Sequence, residues 1–273
     1  MALVDRYDAF LIDLDGVLYR ADTPVEHAPE TIERLRAVGR RIVFMTNNSS
    51  RTPAQVAGKL NGLEIPARPD EVVSSALATA DLLRREGVRT AFVIGEDGVL
   101  EALRDTGVRV VGDTDHASAE AVVVGWDRGI TYDKLRTASL LVEHGARLVA
   151  TNADPSYPAP DGLWPGAGAL LAAVVATTAA EPVVVGKPHA PLFETAARRA
   201  GGSRPLVIGD RIDTDIAGAD ALGLDSLLVL TGVSTANDAE RSRVRPRYVA
   251  DDLRGLFADP EPVADARAAT GQA

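Results

Sequence analysis

Polar residues that suit phosphoryl-transfer chemistry follow four separate apolar runs of the sequence. The run AFLI leads into Asp13, and the run IVFM leads into Thr46. Two later runs, VVV and PLVI, lead through a glycine into Lys187 and Asp210. In an open α/β sheet, ligands bind beyond the carboxyl ends of the strands. If each run is a strand, these side chains are expected to converge on one site for a phosphate group and a divalent cation.

Asp13 and Asp15 lie two positions apart, directly before Gly16. In extended backbone, residues i and i+2 face the same side, so the two carboxylates repel unless a cation or a proton lies between them. One can serve as a nucleophile while the other acts as a general acid and base. An EF-hand loop also opens with Asp-x-Asp, but here Leu18 and Pro24 occupy its glycine and glutamate positions. A solvated turn after a buried strand is the alternative for this motif taken alone.

Three more carboxylates, Asp210, Asp213 and Asp215, follow the last of the four apolar runs. Oxygen ligands without cysteine suit Mg²⁺, which prefers one or two carboxylates together with water and substrate phosphate. N-capping of a helix is the alternative, and it could explain one of the three aspartates but hardly all of them. This cluster predicts a magnesium site.

Thr46, Asn47 and Lys187 are the candidate phosphate ligands. The Thr46 hydroxyl and the backbone N–H groups at a strand-to-loop junction suit phosphate oxygens. Lys187 offers a compact positive charge between a buried valine run and a proline. An ordinary Thr-Asn turn and a surface lysine are the alternatives.

Strand-like runs alternate with helical patterns along the chain, which is typical of βαβ units and a parallel sheet. The predicted strands are 9–13, 41–45, 71–74, 90–94, 120–125, 146–150, 182–185, 205–208 and 226–230. The predicted helices are 28–38, one that begins at 52–53, 76–86, 97–105, 132–144, 167–179, 190–200 and 213–222. We therefore expect the α/β class, with a doubly wound parallel-sheet (Rossmann-like) core.

The segment between Thr46 and Lys187 contains α/β units of its own, which indicates an inserted domain. We predict an inserted cap over residues 80–182, a core domain built from 1–79 and 183–258, and a flexible tail over 259–273. Within the insert, Thr151-Asn152 repeats the Thr-Asn of the second motif. A common strand-end turn and a second ligand-facing edge explain this repeat equally well.

The composition excludes several classes of partner and location. A net charge of −10 argues against nucleic acid and anionic membranes, which both require a basic footprint. No apolar run approaches the ~20 residues of a membrane span, and the N-terminus lacks the apolar region of a signal peptide. A cytoplasmic protein is expected. Four further residues are predicted to lie in loops of the insert, where they could contact substrate or pack the core of the insert: Trp126, Asp127, Tyr157 and Trp164. Core packing is the favoured role of the two tryptophans.

The order of the four motifs resembles that of the haloacid-dehalogenase-like phosphatases. Their sequences here are Asp-x-Asp-Gly, Thr-Asn-Asn, Gly-Lys-Pro and Gly-Asp-x-x-x-Thr-Asp. The insert resembles the subgroup with a large α/β (C2-type) cap, which includes p-nitrophenyl phosphatases, phosphoglycolate phosphatases and glycerol-phosphate phosphatases. The resemblance extends over nearly the whole chain up to about residue 258.

This resemblance implies catalytic and metal-binding roles for the acidic residues. Asp13 matches the nucleophile that becomes an aspartyl-phosphate, and Asp15 matches the group that protonates the leaving alcohol and later activates water. Metal ligands would be Asp13, the Asp15 backbone carbonyl and Asp210, with Asp215 as a supporting carboxylate.

The remaining motif residues match the family's phosphate-binding positions. Thr46, the Asn47 N–H and Lys187 correspond to the phosphate clamp. Asn48 and Gly16 complete their motifs and are assigned supporting roles.

The expected function is a Mg²⁺-dependent phosphomonoester hydrolase that acts on a small-molecule phosphate ester. Glycerol 3-phosphate and 2-phosphoglycolate are the favoured substrates, with nucleotides and sugar phosphates as alternatives. A phosphoaccepting signalling receiver is an alternative from another class, but receivers are about half this length and lack an acid two residues after the acceptor. A homodimer formed through the cap is a further expectation.

Overall fold

The computed structural model describes residues 1–112, 119–159 and 161–263. Its strands are, in chain order, β1 (Ala9–Asp13), β2 (Tyr19–Arg20), β3 (Thr23–Pro24), β4 (Arg41–Thr46), β5 (Val72–Ser74), β6 (Thr90–Ile94), β7 (Arg109–Val110), β8 (Ala121–Val124), β9 (Arg147–Ala150), β10 (Ser156–Ala159), β11 (Gly162–Pro165), β12 (Val183–Val184), β13 (Pro205–Gly209), β14 (Asp225–Val229) and β15 (Tyr248–Ala250).

Its α-helices are α1 (Leu3–Arg6), α2 (Ala28–Ala37), α3 (Pro53–Gly62), α4 (Ser75–Arg85), α5 (Asp97–Asp105), α6 (Tyr132–Glu143), α7 (Ala167–Thr178), α8 (Ala190–Ala200), α9 (Ala217–Ala221) and α10 (Ala236–Arg241). Short 3₁₀ turns cover Pro69–Glu71 and Leu253–Phe257, and a π-helical turn covers Ile212–Ile216. No helix in these described ranges is both long enough and apolar enough to span a membrane.

The chain divides into two compact units. The first unit combines Met1–Met45, Ala57–Val72 and the segment from Ala196 onward, and the second combines Thr46–Val56 with Val73–Thr195. The predicted insert, 80–182, lies inside the second unit, which extends beyond it on both sides. The bounds of the core domain, 1–79 and 183–258, and of the cap therefore stay a prediction.

A six-stranded sheet in the order β15-β14-β13-β1-β4-β5 lies mainly in the first unit; the last residue of β4 and the last two of β5 belong to the second. β1 pairs in parallel with β13 on one side and with β4 on the other. All five residues of β1 are buried, as expected for a central strand of a parallel sheet covered on both faces. The strand order changes direction between β1 and β13. Open α/β sheets bind ligands at such a topological switch point.

A five-stranded parallel sheet in the order β12-β9-β8-β6-β7 forms the centre of the second unit. Its inner face belongs to a core cluster that includes Phe92, Ile94, Val122 and Leu148. An antiparallel hairpin of β10 and β11 accompanies this sheet. The predicted α/β class with a parallel, Rossmann-like core is thus confirmed.

Several elements of the structure differ from the prediction. The predicted helix at 213–222 is a π-helical turn followed by the short α9. Tyr157 and Trp164 lie in the β10–β11 hairpin and not in loops, as had been predicted for them. The edge strand β15 was not predicted, because only three residues form it and only Tyr248 among them is buried.

Part of the predicted tail, 259–273, is described. Asp259 accepts hydrogen bonds from the Met1 ammonium group at 2.5 Å and from Arg6. The Val263 amide donates to the Arg247 carbonyl at 3.0 Å. Residues 264–273 lie outside the described ranges.

Asp8, directly before β1, anchors the loop that leads into β13. Its carboxylate accepts hydrogen bonds from the amides of Arg204 at 2.9 Å and Ser203 at 3.0 Å. These donors, led by the Arg204 amide, lower the pKa of Asp8 to about 2. Because the pKa is lower in the folded protein than in the unfolded chain, the stabilisation is present above pH ~4 and is lost as the pH falls toward 2.

We expect Asp8→Asn to lower the free energy of unfolding by about 1–2 kcal/mol at pH 7, since charge-assisted hydrogen bonds to two amides are weakened. The difference from the wild type should shrink steadily as the pH falls from 4 toward 2. Urea unfolding across this range measures it. Asp5→Asn, which removes a half-exposed carboxylate 3.8 Å from Arg40, serves as the control and should change stability little. If the stability difference between Asp8→Asn and the wild type did not depend on pH, the low pKa of Asp8 would be contradicted.

Candidate active site

Three buried carboxylates converge at the switch point of the first unit. Oxygen atoms of Asp13, Asp210 and Asp215 all lie within 4.8 Å of one another. Asp13 is the last residue of β1, and Asp210 directly follows β13. Because Ile12 and Ile208 are partners in the parallel register of these strands, their carboxyl ends place the two aspartates together.

Asp210 is held by the loop that follows β14. The amide of Val233 donates to Asp210 Oδ2 at 2.7 Å, and the amide of Ser234 donates to the Asp210 carbonyl at 3.0 Å. These loop residues were not among the predicted site residues. Asp13 and Asp210 were predicted as site residues because they follow strands. Since β14 was also predicted, at 226–230, the same reasoning could have identified the loop after it as part of the site.

Gly16 lies directly against Asp210. Its φ is +81°, and a Cβ at this position would lie 2.4 Å from Asp210 Oδ2. The Gly16 carbonyl accepts a hydrogen bond from the Thr231 hydroxyl at 2.6 Å. A side chain here would both strain the backbone and displace the carboxylate. The close approach of Asp210 thus gives a steric reason for glycine at position 16.

The acidic residues after Asp210 have different environments. Asp215 is fully buried within the π-helical turn and accepts a hydrogen bond from the Arg211 amide at 3.2 Å. Asp213 is exposed and pairs with the Arg211 guanidinium at 2.7 Å. The sequence analysis placed Asp213 among the candidate metal-binding carboxylates. In the structure its carboxylate instead forms an ion pair with Arg211 at the surface.

The donor set of this cluster fits a hard divalent cation. Three carboxylates that are buried this closely repel one another strongly unless positive charge is present. Carboxylate oxygens are ligands that Mg²⁺ accepts, and the cluster contains no soft donor. The carboxylates of Asp13, Asp210 and Asp215 lie close enough together that they could hold such an ion.

Asp15 lies outside this cluster. It is exposed, and its carboxylate accepts a hydrogen bond from the Tyr19 hydroxyl at 3.4 Å. The Gly16 amide donates to the Tyr19 carbonyl at 2.8 Å and so turns the chain directly after Asp15. The two aspartates of the first motif therefore differ in burial, and their catalytic roles stay a prediction.

The predicted phosphate ligands lie in the second unit. Thr46 ends β4, and its hydroxyl oxygen accepts a hydrogen bond from the Asn48 amide at 3.1 Å, which leaves its proton available to donate. Asn48 Oδ1 in turn accepts from the amide of Ser50 at 2.9 Å and from its hydroxyl at 2.8 Å. Asn48 therefore shapes this loop, in keeping with a supporting role.

The side chain of Asn47 holds the backbone of Lys187. Asn47 Oδ1 accepts from the Lys187 amide at 2.8 Å, and Nδ2 donates to the Lys187 carbonyl at 3.2 Å. The two residues lie 140 positions apart in the sequence. The Asn47 amide group is thus engaged in positioning Lys187, which sequence reasoning did not predict.

The loops of Asn47, Thr151 and Gly186 pack closely. A Cβ on Gly186 would lie 2.6 Å from Asn47 Oδ1 and 2.6 Å from the Thr151 carbonyl oxygen. Asn152 Nδ2 donates to the Asn47 carbonyl at 2.8 Å, and the Thr151 hydroxyl donates to Ser49 at 3.0 Å. The repeated Thr-Asn motif therefore supports the loop of the second motif with its buried side chains.

Replacement of Asn47 by alanine should displace Lys187, because two of its backbone groups lose their partners. We expect a loss of about 2–3 kcal/mol in the free energy of unfolding. If Lys187 binds the substrate phosphate, kcat/KM for a phosphate ester should also fall by about 10²-fold, as expected for misplaced groups. Urea unfolding and phosphate release measure the two effects.

Ser75→Ala is the matched control for Asn47→Ala. The Ser75 hydroxyl donates to the Asn47 backbone carbonyl at 2.7 Å and not to the Asn47 side chain that holds Lys187. It should lower stability by about 1 kcal/mol with a much smaller change in kcat/KM. Equal losses of activity in the two variants would contradict the positioning role.

The tryptophans of the second unit do not pack into its core. Trp164 is 38% exposed. Trp126 is partly buried and stacks on Tyr157, with 4.4 Å between the ring centroids. Both tryptophans line a cavity, so the prediction of core packing was wrong. Asp127 is buried and pairs with Lys134 at 2.7 Å, which anchors the segment beside Trp126.

Comparisons with other proteins identify the family of this chain. A family model for haloacid dehalogenase-like hydrolases matches residues 10–109, and a model for HAD-like hydrolases matches residues 184–256. A 5'-nucleotidase of Bacillus subtilis is 38% identical over 250 residues, which cover 90% of this chain and 96% of that protein. An acid sugar phosphatase of Staphylococcus aureus is 38% identical over 259 residues, which cover 94% of this chain and 99% of that protein.

Among solved structures, a glycerol phosphate phosphatase from Mycobacterium tuberculosis, in complex with magnesium, is similar with a TM-score of 0.89 and 37% identity. The similarity covers 95% of this chain and 79% of that chain. The resemblance seen in the order of the four motifs is thus confirmed, and with it the expectation of a hydrolase. This chain belongs to the haloacid dehalogenase-like hydrolases.

Proposed function

We propose that this protein is a Mg²⁺-dependent phosphomonoester hydrolase that acts on small organic phosphates. The convergence of the Asp13, Asp210 and Asp215 oxygens within 4.8 Å is the observation that carries the proposal. Such a cluster provides a nucleophile and cation ligands in one place. The similar 5'-nucleotidase, acid sugar phosphatase and glycerol phosphate phosphatase support the same reaction class.

In this proposal, the residues of the second unit bind the phosphate. The Thr46 hydroxyl, the Asn47 N–H and the Lys187 ammonium group donate to its non-bridging oxygens. Asn47 has a second role, since its side chain holds the Lys187 backbone. When bound by Asp13, Asp210 and the Asp15 carbonyl, with Asp215 in support, Mg²⁺ would offset the repulsion between the phosphate and the carboxylates.

The reaction consists of two displacements at phosphorus. An Asp13 oxygen attacks phosphorus, the bond to the ester oxygen breaks, and Asp15 donates its proton to the departing alkoxide. An aspartyl-phosphate remains on Asp13. Asp15 then accepts a proton from water as that water attacks phosphorus, which releases inorganic phosphate and restores the Asp13 carboxylate. One residue can serve as acid and then base because the first step leaves it deprotonated.

Phosphate release from a panel of substrates tests the proposal. Glycerol 3-phosphate and 2-phosphoglycolate are the substrates favoured by the sequence, while nucleotides and sugar phosphates are the alternatives. We expect many turnovers per enzyme molecule with Mg²⁺ and none after its removal by EDTA. A stable phosphoprotein that does not turn over would instead favour a phosphoaccepting signalling receiver. Membership of a hydrolase family already argues against that alternative. A cytoplasmic location and a homodimer through residues 80–182 stay predictions.

A further inference from the structure

The loop that follows β14, residues 231–234, contacts three separate parts of the proposed metal site. It is a surface loop, and its residues are exposed or partly buried. It nevertheless packs on Asp210, which is only 2% exposed. The loop, Asp210 and the first and fourth motifs all belong to the first unit. Their contacts therefore describe what surrounds the carboxylates within one compact unit.

Two backbone groups of the 231–234 loop hold Asp210. The Val233 amide donates to a carboxylate oxygen of Asp210 at 2.7 Å, and the Ser234 amide donates to its backbone carbonyl at 3.0 Å. The Val233 side chain is 67% exposed, so this residue acts on Asp210 through its backbone. The carboxylate and the chain at the end of β13 are thus fixed by the same loop.

Gly232 brings the loop into close contact with Asp210. A Cβ at position 232 would lie 2.5 Å from Asp210 Cβ and closer still to the carboxylate. Rotation of the Asp210 side chain could move the carboxylate away but would not move Cβ. The backbone of Gly232 lies outside the positive-φ region, unlike that of Gly16, so alanine would not strain it. An added methyl group would therefore displace Asp210 or the loop itself.

The Thr231 hydroxyl joins the loop to the turn that follows Asp15. It donates to the Gly16 carbonyl at 2.6 Å. The Thr231 carbonyl in turn accepts a hydrogen bond from Arg20 Nε at 2.6 Å, which anchors the loop to β2. Gly16 directly follows Asp15, whose backbone carbonyl is a proposed metal ligand. Thr231 therefore fixes the turn of the first motif relative to Asp210.

The Ser234 hydroxyl joins the loop to the π-helical turn. Its oxygen accepts a hydrogen bond from the Ile212 amide at 3.1 Å. Ile212 is the first residue of this turn, which includes Asp215. The 231–234 loop thus contacts Asp210, the turn after Asp15 and the start of the segment that positions Asp215.

We propose that the 231–234 loop positions the ligands of the Mg²⁺ site, with Thr231 and Gly232 as its positioning residues. The inference rests on the proposed function, and it assigns the spacing of the first and fourth motifs to a loop that belongs to neither. Loss of a group that orients metal ligands typically lowers metal affinity by about 10- to 100-fold. Substitutions in this loop should therefore weaken Mg²⁺ binding although every Mg²⁺ ligand is retained.

Calorimetric titration with Mg²⁺, in the absence of substrate, provides the first test. Thr231→Val nearly keeps the shape of the side chain but removes its hydroxyl, so the dissociation constant for Mg²⁺ should rise by about tenfold or more. Thr231→Ser keeps the hydroxyl and should restore most of the affinity. Thr106→Val is the matched control, because the Thr106 hydroxyl also donates to a backbone carbonyl, that of Leu103 at 2.9 Å, at the end of α5. It should leave the dissociation constant unchanged.

Gly232→Ala should have the larger effect, because it displaces Asp210 or the loop that holds it. We expect the dissociation constant for Mg²⁺ to rise by about 100-fold, the upper end of the usual range. Gly58→Ala in α3 is the matched control, since position 58 is exposed and nothing lies within 4 Å of an added Cβ. Alanine also favours a helix, so this variant should fold well and bind Mg²⁺ like the wild type.

The Mg²⁺ affinity of the folded protein separates positioning from a general loss of stability. A purely structural loop would lower the thermal unfolding midpoint without Mg²⁺ and leave that affinity unchanged. This result in both Thr231→Val and Gly232→Ala would overturn the inference, and failure of Thr231→Ser to restore affinity would overturn the role of the hydroxyl. If the wild type bound Mg²⁺ but hydrolysed no phosphate ester, the proposed function would be contradicted, whereas the calorimetric comparison would still decide the role of the loop.

Discussion

Asp13→Asn should abolish phosphate release, with kcat lowered by roughly 10³- to 10⁶-fold, the range found when a nucleophile is removed from an enzyme. An amide oxygen does not attack phosphorus to form an acyl phosphate, so the first displacement cannot occur. The fold should persist, because asparagine has nearly the same shape. Asp13 is buried beside two other carboxylates, and loss of its charge removes like-charge repulsion. Without metal, the variant should therefore be at least as stable as the wild type.

Two measurements separate loss of the nucleophile from loss of structure. The first is phosphate release at saturating substrate, and the second is the thermal unfolding midpoint with and without Mg²⁺. Mg²⁺ should raise the midpoint of the wild type, since a ligand that binds the folded state stabilises it. The rise should be smaller in Asp13→Asn, which has one fewer charged ligand.

Asp213→Asn is the control for the effect of removing a carboxylate from these motifs. Asp213 belongs to the fourth motif, but its side chain is 67% exposed and pairs with Arg211. It should retain near-full activity and the full response to Mg²⁺. Near-full activity in Asp13→Asn would refute the nucleophile assignment, and an equal loss in both variants would show that the motif tolerates no change of charge.

Strand-end reasoning was sufficient to predict Asp13 and Asp210 because it depends on local sequence. Each follows a fully apolar run, and a parallel sheet aligns the carboxyl ends of neighbouring strands. It could not distinguish Asp213 from Asp215. These residues lie in a π-helical turn, and the direction of a side chain there depends on how the turn closes. A regular helix, as predicted, would have assigned both to the first turn.

Contacts between segments that lie far apart in the sequence could not be predicted from sequence patterns. The bond between Asn47 and Lys187 joins residues 140 positions apart, and the bond between Val233 and Asp210 depends on the path of a loop. Hydrophobic periodicity contains no information about such pairs. The exposure of Trp164 was missed for a related reason, since a tryptophan is usually well buried and only the hairpin geometry brings it to a cavity.

Asp15→Asn should slow substrates according to the basicity of their leaving groups. Asparagine cannot donate a proton to a departing alkoxide, so the first displacement of glycerol 3-phosphate should slow by about 10²- to 10⁴-fold. p-Nitrophenolate leaves without protonation, so its release in the first turnover should slow far less. First-turnover measurements are needed because Asp15 is also the proposed base of the second displacement, which slows steady turnover of every substrate.

The position of Asp15 means that Asp15→Asn should affect proton transfer without affecting the binding of Mg²⁺. Its carboxylate is exposed and lies outside the Asp13–Asp210–Asp215 cluster, and the substitution keeps the backbone carbonyl. The rise of the unfolding midpoint on addition of Mg²⁺ should therefore match that of the wild type, in contrast to Asp13→Asn. Tyr19→Phe removes a hydroxyl that donates to this carboxylate from 3.4 Å away, and it should have only a small effect on either substrate. If both leaving groups slowed equally in the first turnover, proton donation by Asp15 would be excluded, and its contribution would have to be electrostatic.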